Sequence, residues 1–165
     1  MIIRGAGSAA ACVMSPGEAA PDDGTAVLLR LSALDLRPLD TAVPSARLHA
    51  RAVLLAWGLR RMAPDAELIT SELVTNAVRF AIEAAAGAEP LPVRFRLSAR
   101  MNGHAITGAV IEVWDAHPAL PERASGDPAE ATGGRGLVLV EAYSARWGSY
   151  PTKGGGKVVW SVLAR

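Results

Sequence analysis

The segment ELVTN places two polar residues, Glu72 and Asn76, four positions apart in an otherwise apolar stretch. In a helix, residues four apart share one face, and their Cβ atoms lie about 5–6 Å from each other. A carboxylate and a carboxamide are costly to bury without partners. The pair therefore predicts either two side chains that act together in a site or a solvated polar edge of a helix. The spacing alone leaves both interpretations open.

Asp115 follows directly on the apolar, strand-like run IEVW. A carboxylate at the end of a strand can accept a hydrogen bond from an exocyclic amine. The alternative is an aspartate that begins a turn ahead of Pro118, a position that this residue type favours.

A glycine-rich segment, Gly133-Gly134-Arg135-Gly136-Leu137, comes immediately before a helical pattern. Glycine lets the backbone approach a phosphate closely, and the free N–H groups and dipole at the start of a helix attract anions. A flexible turn ahead of a helix is the simpler alternative.

Hydrophobic spacing predicts one strand and then two helices ahead of these motifs. The strand covers residues 26–36, the first helix runs from Pro44 to about Gly58, and the second runs from Pro64 to about Ala86. The expected core face of the first helix is made by Leu48, Ala52, Leu55 and Leu59. The second helix has an apolar side made by Leu68, Leu73, Ala77 and Ala81.

The second half of the chain predicts four strands and one helix. Val93, Phe95 and Leu97 alternate with polar residues, which is typical of a half-buried strand, and Asn102-Gly103 predicts a hairpin turn into a strand at 106–114. Residues 116–133 lack periodicity, and a loop of that length in a compact domain is usually functional or disordered. A helix to about Ala145 and strands at 146–150 and 157–163 complete the chain.

The order of these elements predicts an α+β fold, a two-layer sandwich of one sheet and a helical layer. The sheet is expected to be mixed but mainly antiparallel, with the helices on one face. Residues 1–24 are rich in Gly, Ala, Pro and Ser and predict a flexible extension, so that Met14 is as plausible a start as Met1. The single folded domain is then 25–165.

Composition excludes several classes of function. The 165 residues carry a net charge of +1, so no strong field steers the chain to nucleic acid or to a membrane surface. One cysteine, Cys12, excludes an internal disulfide framework, and no apolar run approaches the roughly 18 residues that span a bilayer. We therefore expect a cytoplasmic protein. The 32 alanines bury little area, so the core is expected to consist of Leu, Val, Ile and Trp.

Taken together, SELVTNAVRFA, VWDAHPALP, GGRGLVLVEAYSARWG and GGKVVW resemble the Bergerat ATP-binding fold of the GHKL superfamily, which includes gyrase and histidine kinases. They look most similar to the anti-sigma regulatory factor kinases of the serine/threonine type. The excess of Arg over Lys is typical of a GC-rich, actinobacterial-type genome. The resemblance covers roughly residues 26–163.

The resemblance implies a role for each matching residue. Glu72 would be the base that orients or deprotonates the attacking hydroxyl, and Asn76 would hold a Mg²⁺ ion that bridges the phosphates of ATP. Asp115 would bind the adenine amino group. The phosphates would lie against Gly134, Arg135, Gly136 and Leu137 at the helix start, and residues 116–133 would form a lid that closes on the nucleotide.

Three positions depart from the family pattern. Phe80 stands where the family often has His, and Ala116-His117 follow Asp115 in place of the glycines of the wider superfamily. Val158 stands where the family usually has a Thr whose hydroxyl helps to hold the adenine near the aspartate. Loss of that hydrogen bond predicts binding weaker by about 0.5–1.5 kcal/mol.

The implied function is a kinase that uses Mg²⁺ and ATP to phosphorylate a STAS-type anti-sigma antagonist and so controls a sigma factor. The apolar content is compatible with a homodimer surface without locating one. The alternative is a catalytically weak or inactive nucleotide-binding module that acts by protein contact alone, which Val158 favours. Two further alternatives are less favoured. A histidine-kinase catalytic domain would need a phosphoacceptor that the sequence does not show, and a plain ATPase would need the transducer domain of its larger relatives.

Overall fold

The computed structural model describes residues 27–121 and 135–164. The elements follow the predicted order. They are β1 (Val27–Leu36), α1 (Ala42–Ala56), a 3-10 turn (Arg60–Met62), α2 (Ala63–Ala85), β2 (Val93–Asn102), β3 (Ala105–Asp115), α3 (Arg135–Tyr143), β4 (Arg146–Pro151) and β5 (Lys157–Ala164).

The five strands form one sheet in the order β1-β2-β3-β5-β4, and each neighbouring pair is antiparallel. The turn between β2 and β3 is tight because Gly103 adopts a φ of +59°, as the Asn-Gly sequence predicts. The helices pack on one face of this sheet, with α2 against α1, α3 and the central strands. The predicted two-layer α+β sandwich is therefore confirmed.

The main core lies between the helices and the sheet. The predicted inward residues of β2 (Val93, Phe95 and Leu97) are fully buried, as are Ile111 and Val113 of β3. On α2 the predicted apolar side is buried at Leu73, Ala77 and Ala81, whereas Leu68 is only half-buried.

The face that α1 buries differs from the prediction. Its buried residues are Ala42, Ala46, Ala50 and Leu54, whereas Leu48 is 70% exposed and Leu55 is 38% exposed. Small side chains let two helices approach closely, and α1 packs directly against α2. The expectation that alanine contributes little to the core was thus wrong for this helix.

The second face of the sheet holds a separate apolar cluster of Val110, Trp114, Val158, Trp160 and Val162. Beside it, the guanidinium of Arg96 on β2 donates two hydrogen bonds of 2.6 Å to the carboxylate of Glu112 on β3. Arg96 is 8% exposed, so β2 is buried on both faces and not on one alone.

Some predictions lie outside the described residues. These are the N-terminal extension at 1–24 and most of the proposed lid, of which the structure describes 116–121. In the described part of the chain, no helix combines the length and the apolar character that a membrane span requires.

Candidate functional site

Glu72 and Asn76 lie on α2, at the edge of its buried stripe. Leu73 and Ala77 are buried in the core, and Glu72 and Asn76 directly precede them in the chain. The side chains of Glu72 and Asn76 therefore lie beside the buried face of the helix. Glu72 and Asn76 are both half-buried, and Asn76 lines a cleft between α2 and the sheet. Asn76 therefore borders the cleft, and neither member of the polar pair lies on a fully solvated edge.

The first turn of α3 packs against this pair through Gly136. A Cβ atom added at Gly136 would lie 2.5 Å from Glu72 Oε2 and 3.6 Å from Asn76 Nδ2. A separation of 2.5 Å is well inside van der Waals contact, so a larger residue at position 136 would have to displace the Glu72 side chain. The structure thus brings together the polar pair and the glycine-led helix that the sequence holds far apart.

Asp115 ends β3 at the other end of the cleft and is 2% exposed. It pairs across the sheet with Lys157, the first residue of β5, which is 1% exposed. The ammonium of Lys157 donates a hydrogen bond of 2.8 Å to Asp115 Oδ1, and the backbone N–H of His117 donates one of 2.9 Å to the same oxygen. Gly156, with a φ of +76°, lies so close to the Asp115 carbonyl that a Cβ atom there would collide with it.

The ammonium of Lys157 has two further contacts. It donates a hydrogen bond of 3.2 Å to the carbonyl oxygen of His117, and it lies 4.2 Å from the ring centroid of Phe80. The Phe80 ring also packs on the His117 imidazole, with 5.1 Å between the ring centroids. The Asp115–Lys157 ion pair and the Phe80 ring therefore line the cleft together.

Burial raises the pKa of Asp115 above its ordinary value, because a carboxylate loses its hydration there. The hydrogen bond and the charge of Lys157, and then the hydrogen bond from His117, lower the pKa in part without cancelling the effect of burial. A buried carboxylate with a perturbed pKa in a cleft is typical of a functional site.

The cleft has an empty volume of about 550 Å³, counting the part that is open to solvent. Its lining comes from α2, from the ends of β3 and β5, from the loop after β3 and from α3; the residues are Leu73, Asn76, Ala77, Arg79, Phe80, Val113, Asp115, Pro121, Leu137, Lys157 and Val159. Apolar walls with a few polar groups are typical of small-molecule and cofactor sites.

Val158 does not lie beside Asp115, contrary to the interpretation of the GGKV segment. Val158 pairs with Trp114, and both residues lie in the cluster on the second face of the sheet. The Trp114 indole N–H donates to the Gly155 carbonyl, and Trp114 is not among the residues that line the cleft. Neighbouring residues of a strand point to opposite faces, and the residue on the cleft side is Lys157.

The remaining predicted residues lie at or near the start of α3. Leu137 lines the cleft, and Gly136 packs against Glu72 as described. Arg135 is the first residue of α3, but its side chain is outside the described part of the structure. Gly134 also lies outside it.

Sequence reasoning missed Lys157, and it noted Phe80 only as a departure from the family pattern. A signal for Lys157 was available in the alternation of β5, since Val159 and Leu163 have the apolar character of the core face and Lys157 shares their parity. No comparable signal exists for Phe80, because its contact with Lys157 and His117 joins three separate segments of the chain.

An antiparallel five-stranded sheet with helices on one face and a cleft between α2, the sheet and α3 is the architecture of the GHKL class. Consistent with this, residues 36–163 match the family model of the histidine kinase-like ATPase domain. The match covers most of the chain, which belongs to this family, and membership implies an ATP-binding site. A comparison with curated proteins gave no match.

Proposed function

We propose that the protein is an ATP-dependent serine/threonine protein kinase of the anti-sigma factor type, acting on a STAS-type antagonist and thereby on a sigma factor. The observation that carries this proposal is the convergence of Glu72, Asn76 and Gly136 at one end of a cleft whose other end holds Asp115. A carboxylate beside a helix start suits transfer to a hydroxyl group.

Glu72 is the proposed base. In the transfer, the hydroxyl oxygen of the substrate forms a bond to the γ-phosphorus of ATP, and the bond from that phosphorus to the bridging oxygen breaks. ADP leaves, and the hydroxyl proton passes to the Glu72 carboxylate. Because phosphoryl transfer needs little covalent help from the protein, the main task of Glu72 is to orient the hydroxyl.

Mg²⁺ fits the donor groups at this end of the cleft. The Asn76 carboxamide oxygen is a hard donor, and the Glu72 carboxylate lies one helical turn away. The described residues contain no cluster of three or more His, Cys, Asp or Glu, which suits an ion that takes most of its ligands from phosphate and water. When bound, Mg²⁺ would neutralise charge on the phosphates, with Asn76 as its proposed protein ligand.

Asp115 is the proposed acceptor for the amino group of adenine, and Leu137 and Phe80 also line the cleft. Gly134, together with Arg135 and Gly136 at the start of α3, is the proposed phosphate-binding segment. The free N–H groups of its first turn are the donors that this role requires.

A second candidate is a module that binds nucleotide weakly and regulates its partner by contact. One observation favours it: Asp115 Oδ1 already accepts hydrogen bonds from Lys157 and from the His117 backbone. An adenine amino group that donates to the same oxygen has to compete with the buried ammonium of Lys157.

Phosphate transfer from γ-labelled ATP to a STAS-type antagonist tests the kinase proposal. The proteins to compare are the wild type, Glu72→Gln, Asn76→Ala and the control Glu83→Gln, which removes an exposed carboxylate from the same helix. We expect label on Ser or Thr of the antagonist with the wild type and the control, and a loss of at least about 100-fold with Glu72→Gln.

Two results contradict the proposal in different ways. Transfer that survives both Glu72→Gln and Asn76→Ala would show that another group performs the reaction. Binding of ADP without any transfer would favour the contact-only module.

A further inference from the structure

The corner of the cleft around Asp115 contains a hydrogen-bond donor as well as an acceptor. Lys157 Nζ and Asp115 Oδ1 are 2.8 Å apart, and both residues line the cleft. Each side chain is at least 98% buried, and the Phe80 ring covers the ammonium, so little of either group is exposed in the cleft. A ligand ring that moves Phe80 aside in this corner would meet an ammonium and a carboxylate side by side.

The ammonium keeps some capacity for a ligand. Among residues 27–121 and 135–164, two oxygen atoms accept from its three hydrogens, Asp115 Oδ1 and the carbonyl oxygen of His117. The remaining contact is with the face of the Phe80 ring, 4.2 Å away. A ring face is a weaker partner than an oxygen atom, so a ligand oxygen can replace it.

The type of purine that can bind depends on the hydrogen-bond donors and acceptors in this corner of the cleft. An ionised carboxylate only accepts hydrogen bonds, so alone it selects a 6-aminopurine and repels the carbonyl oxygen of a 6-oxopurine. An added ammonium gives that oxygen a donor, while the adjacent ring N–H of the 6-oxopurine can donate to the carboxylate. A 6-aminopurine also matches the pair, through its amino group and its ring nitrogen.

We propose that Lys157 is a specificity-determining residue that lets the site accept 6-oxopurine nucleotides, such as inosine and guanine nucleotides, beside adenine nucleotides. This inference rests on the proposed nucleotide site. It goes beyond it because the purine class is set by Lys157 together with Asp115 and not by the aspartate alone.

The test uses ADP and IDP, a matched pair that differs at position 6 of the base and in the proton on the adjacent ring nitrogen. Dissociation constants for both are measured by calorimetry with the wild type, Lys157→Met and Lys157→Thr. The control is Lys153→Met, which removes an exposed lysine from the turn between β4 and β5. Thermal unfolding checks that each variant is folded.

We expect the wild type and Lys153→Met to bind IDP within about tenfold of ADP. Lys157→Met and Lys157→Thr should bind IDP at least about 100-fold more weakly than ADP, because the carbonyl oxygen then faces a carboxylate without a donor. If both Lys157 variants unfold, a wild type that binds IDP more than about 100-fold more weakly than ADP still overturns the inference.

Three results overturn the inference. A wild type that binds ADP but rejects IDP by more than about 100-fold contradicts it directly. A ratio that is unchanged in the Lys157 variants assigns the purine choice to other groups, even if their affinity for ADP rises. Failure of the wild type to bind either nucleotide removes the proposed nucleotide site as well, and is distinct from rejection of IDP alone.

Discussion

The carboxylate of Glu72 lies where any residue other than glycine at position 136 would place its β-carbon. An added Cβ on Gly136 would be 2.5 Å from Glu72 Oε2, and the contact is with the far end of a flexible side chain. The base proposed for transfer and the segment proposed for phosphate binding are thus in direct contact. A side chain added at position 136 must therefore displace the Glu72 carboxylate.

Gly136→Ala should displace the Glu72 carboxylate and lower phosphate transfer. Alanine favours a helix over glycine by about 1 kcal/mol, so stability alone does not report the contact. A double-mutant cycle with Glu72→Ala removes that difficulty. We expect a coupling energy of about 0.5–3 kcal/mol in the free energy of unfolding measured with urea, and a cycle that closes to zero would disprove the contact.

Asn76→Ala should remove most of the effect of Mg²⁺ on ATP affinity. If the carboxamide oxygen is a ligand of the ion, wild-type ATP binding weakens when Mg²⁺ is removed, whereas the variant changes little. The expected difference is about tenfold, or roughly 1.4 kcal/mol. Asn102→Ala, at the exposed end of β2, is the matched control and should respond to Mg²⁺ as the wild type does.

Mild acid should weaken nucleotide binding through Asp115. Its pKa is raised in the folded protein, chiefly by burial, so the native carboxyl takes up a proton above its ordinary value of 3.8. In the window between 3.8 and the raised pKa the native state binds more protons than the unfolded chain, so this residue's contribution to stability falls as pH rises. Affinity has the opposite trend, because only the ionised carboxylate is a pure acceptor.

The measurement compares ADP affinity between pH 7 and pH 5 for the wild type and Asp115→Asn in the same buffers, so that titration of the ligand cancels. We expect Asp115→Asn to bind about 10–100-fold more weakly at pH 7, as for loss of a charged hydrogen bond. Its affinity relative to the wild type should improve as the pH falls. Parallel profiles for the two proteins would refute this role for Asp115.

Glu112→Ala should cost the protein about 3–5 kcal/mol in the free energy of unfolding, because it leaves the Arg96 guanidinium buried without its carboxylate. Glu112 is fully buried, and the Tyr150 hydroxyl also donates to it, at 3.3 Å. The control is Asp35→Ala, which breaks a more exposed pair with Arg94 and should cost no more than about 1 kcal/mol. Equal losses in urea unfolding would show that the buried pair has no special weight.

Ala50→Leu and Leu48→Ala exchange the same two residue types on one helix, but only the first is expected to lower the stability of the protein. Ala50 is fully buried, so a larger side chain overpacks the contact with α2 and should destabilise the protein by about 1–3 kcal/mol. Leu48 is 70% exposed, so its truncation should change stability by no more than about 0.5 kcal/mol. The predicted face of α1 would regain support if thermal unfolding ranked the two variants the other way.

The order of the elements could be predicted from the sequence because each element has a strong local signal. The alternation at Val93, Phe95 and Leu97 marks a strand, and the Asn-Gly pair marks the hairpin after it. The face of α1 could not be predicted in this way. Periodicity weighs leucine above alanine, whereas a close helix contact selects the smaller side chain.

In the candidate site, too, features with a local sequence signal could be predicted, and features that depend on contacts between distant segments could not. The polar pair on α2 follows from helical spacing, and the position of Asp115 follows from the end of a strand. The partner of Asp115 depends on the register between β3 and β5, which a resemblance of motifs does not fix. The interpretation from motifs placed Val158 beside Asp115, whereas the register of the strands places Lys157 there. An error of one residue therefore assigned an apolar side chain where the structure has a buried ammonium.

Glu72, Asn76 and Phe80 follow one another at intervals of four residues along α2. This one helix therefore carries residues at both ends of the cleft. The axial distance from Glu72 to Phe80 is about 12 Å, at 1.5 Å for each residue. One inserted residue between Asn76 and Phe80 would rotate Phe80 by about 100° around the helix axis and away from Lys157. The length of this helix is therefore constrained even where its individual side chains can change.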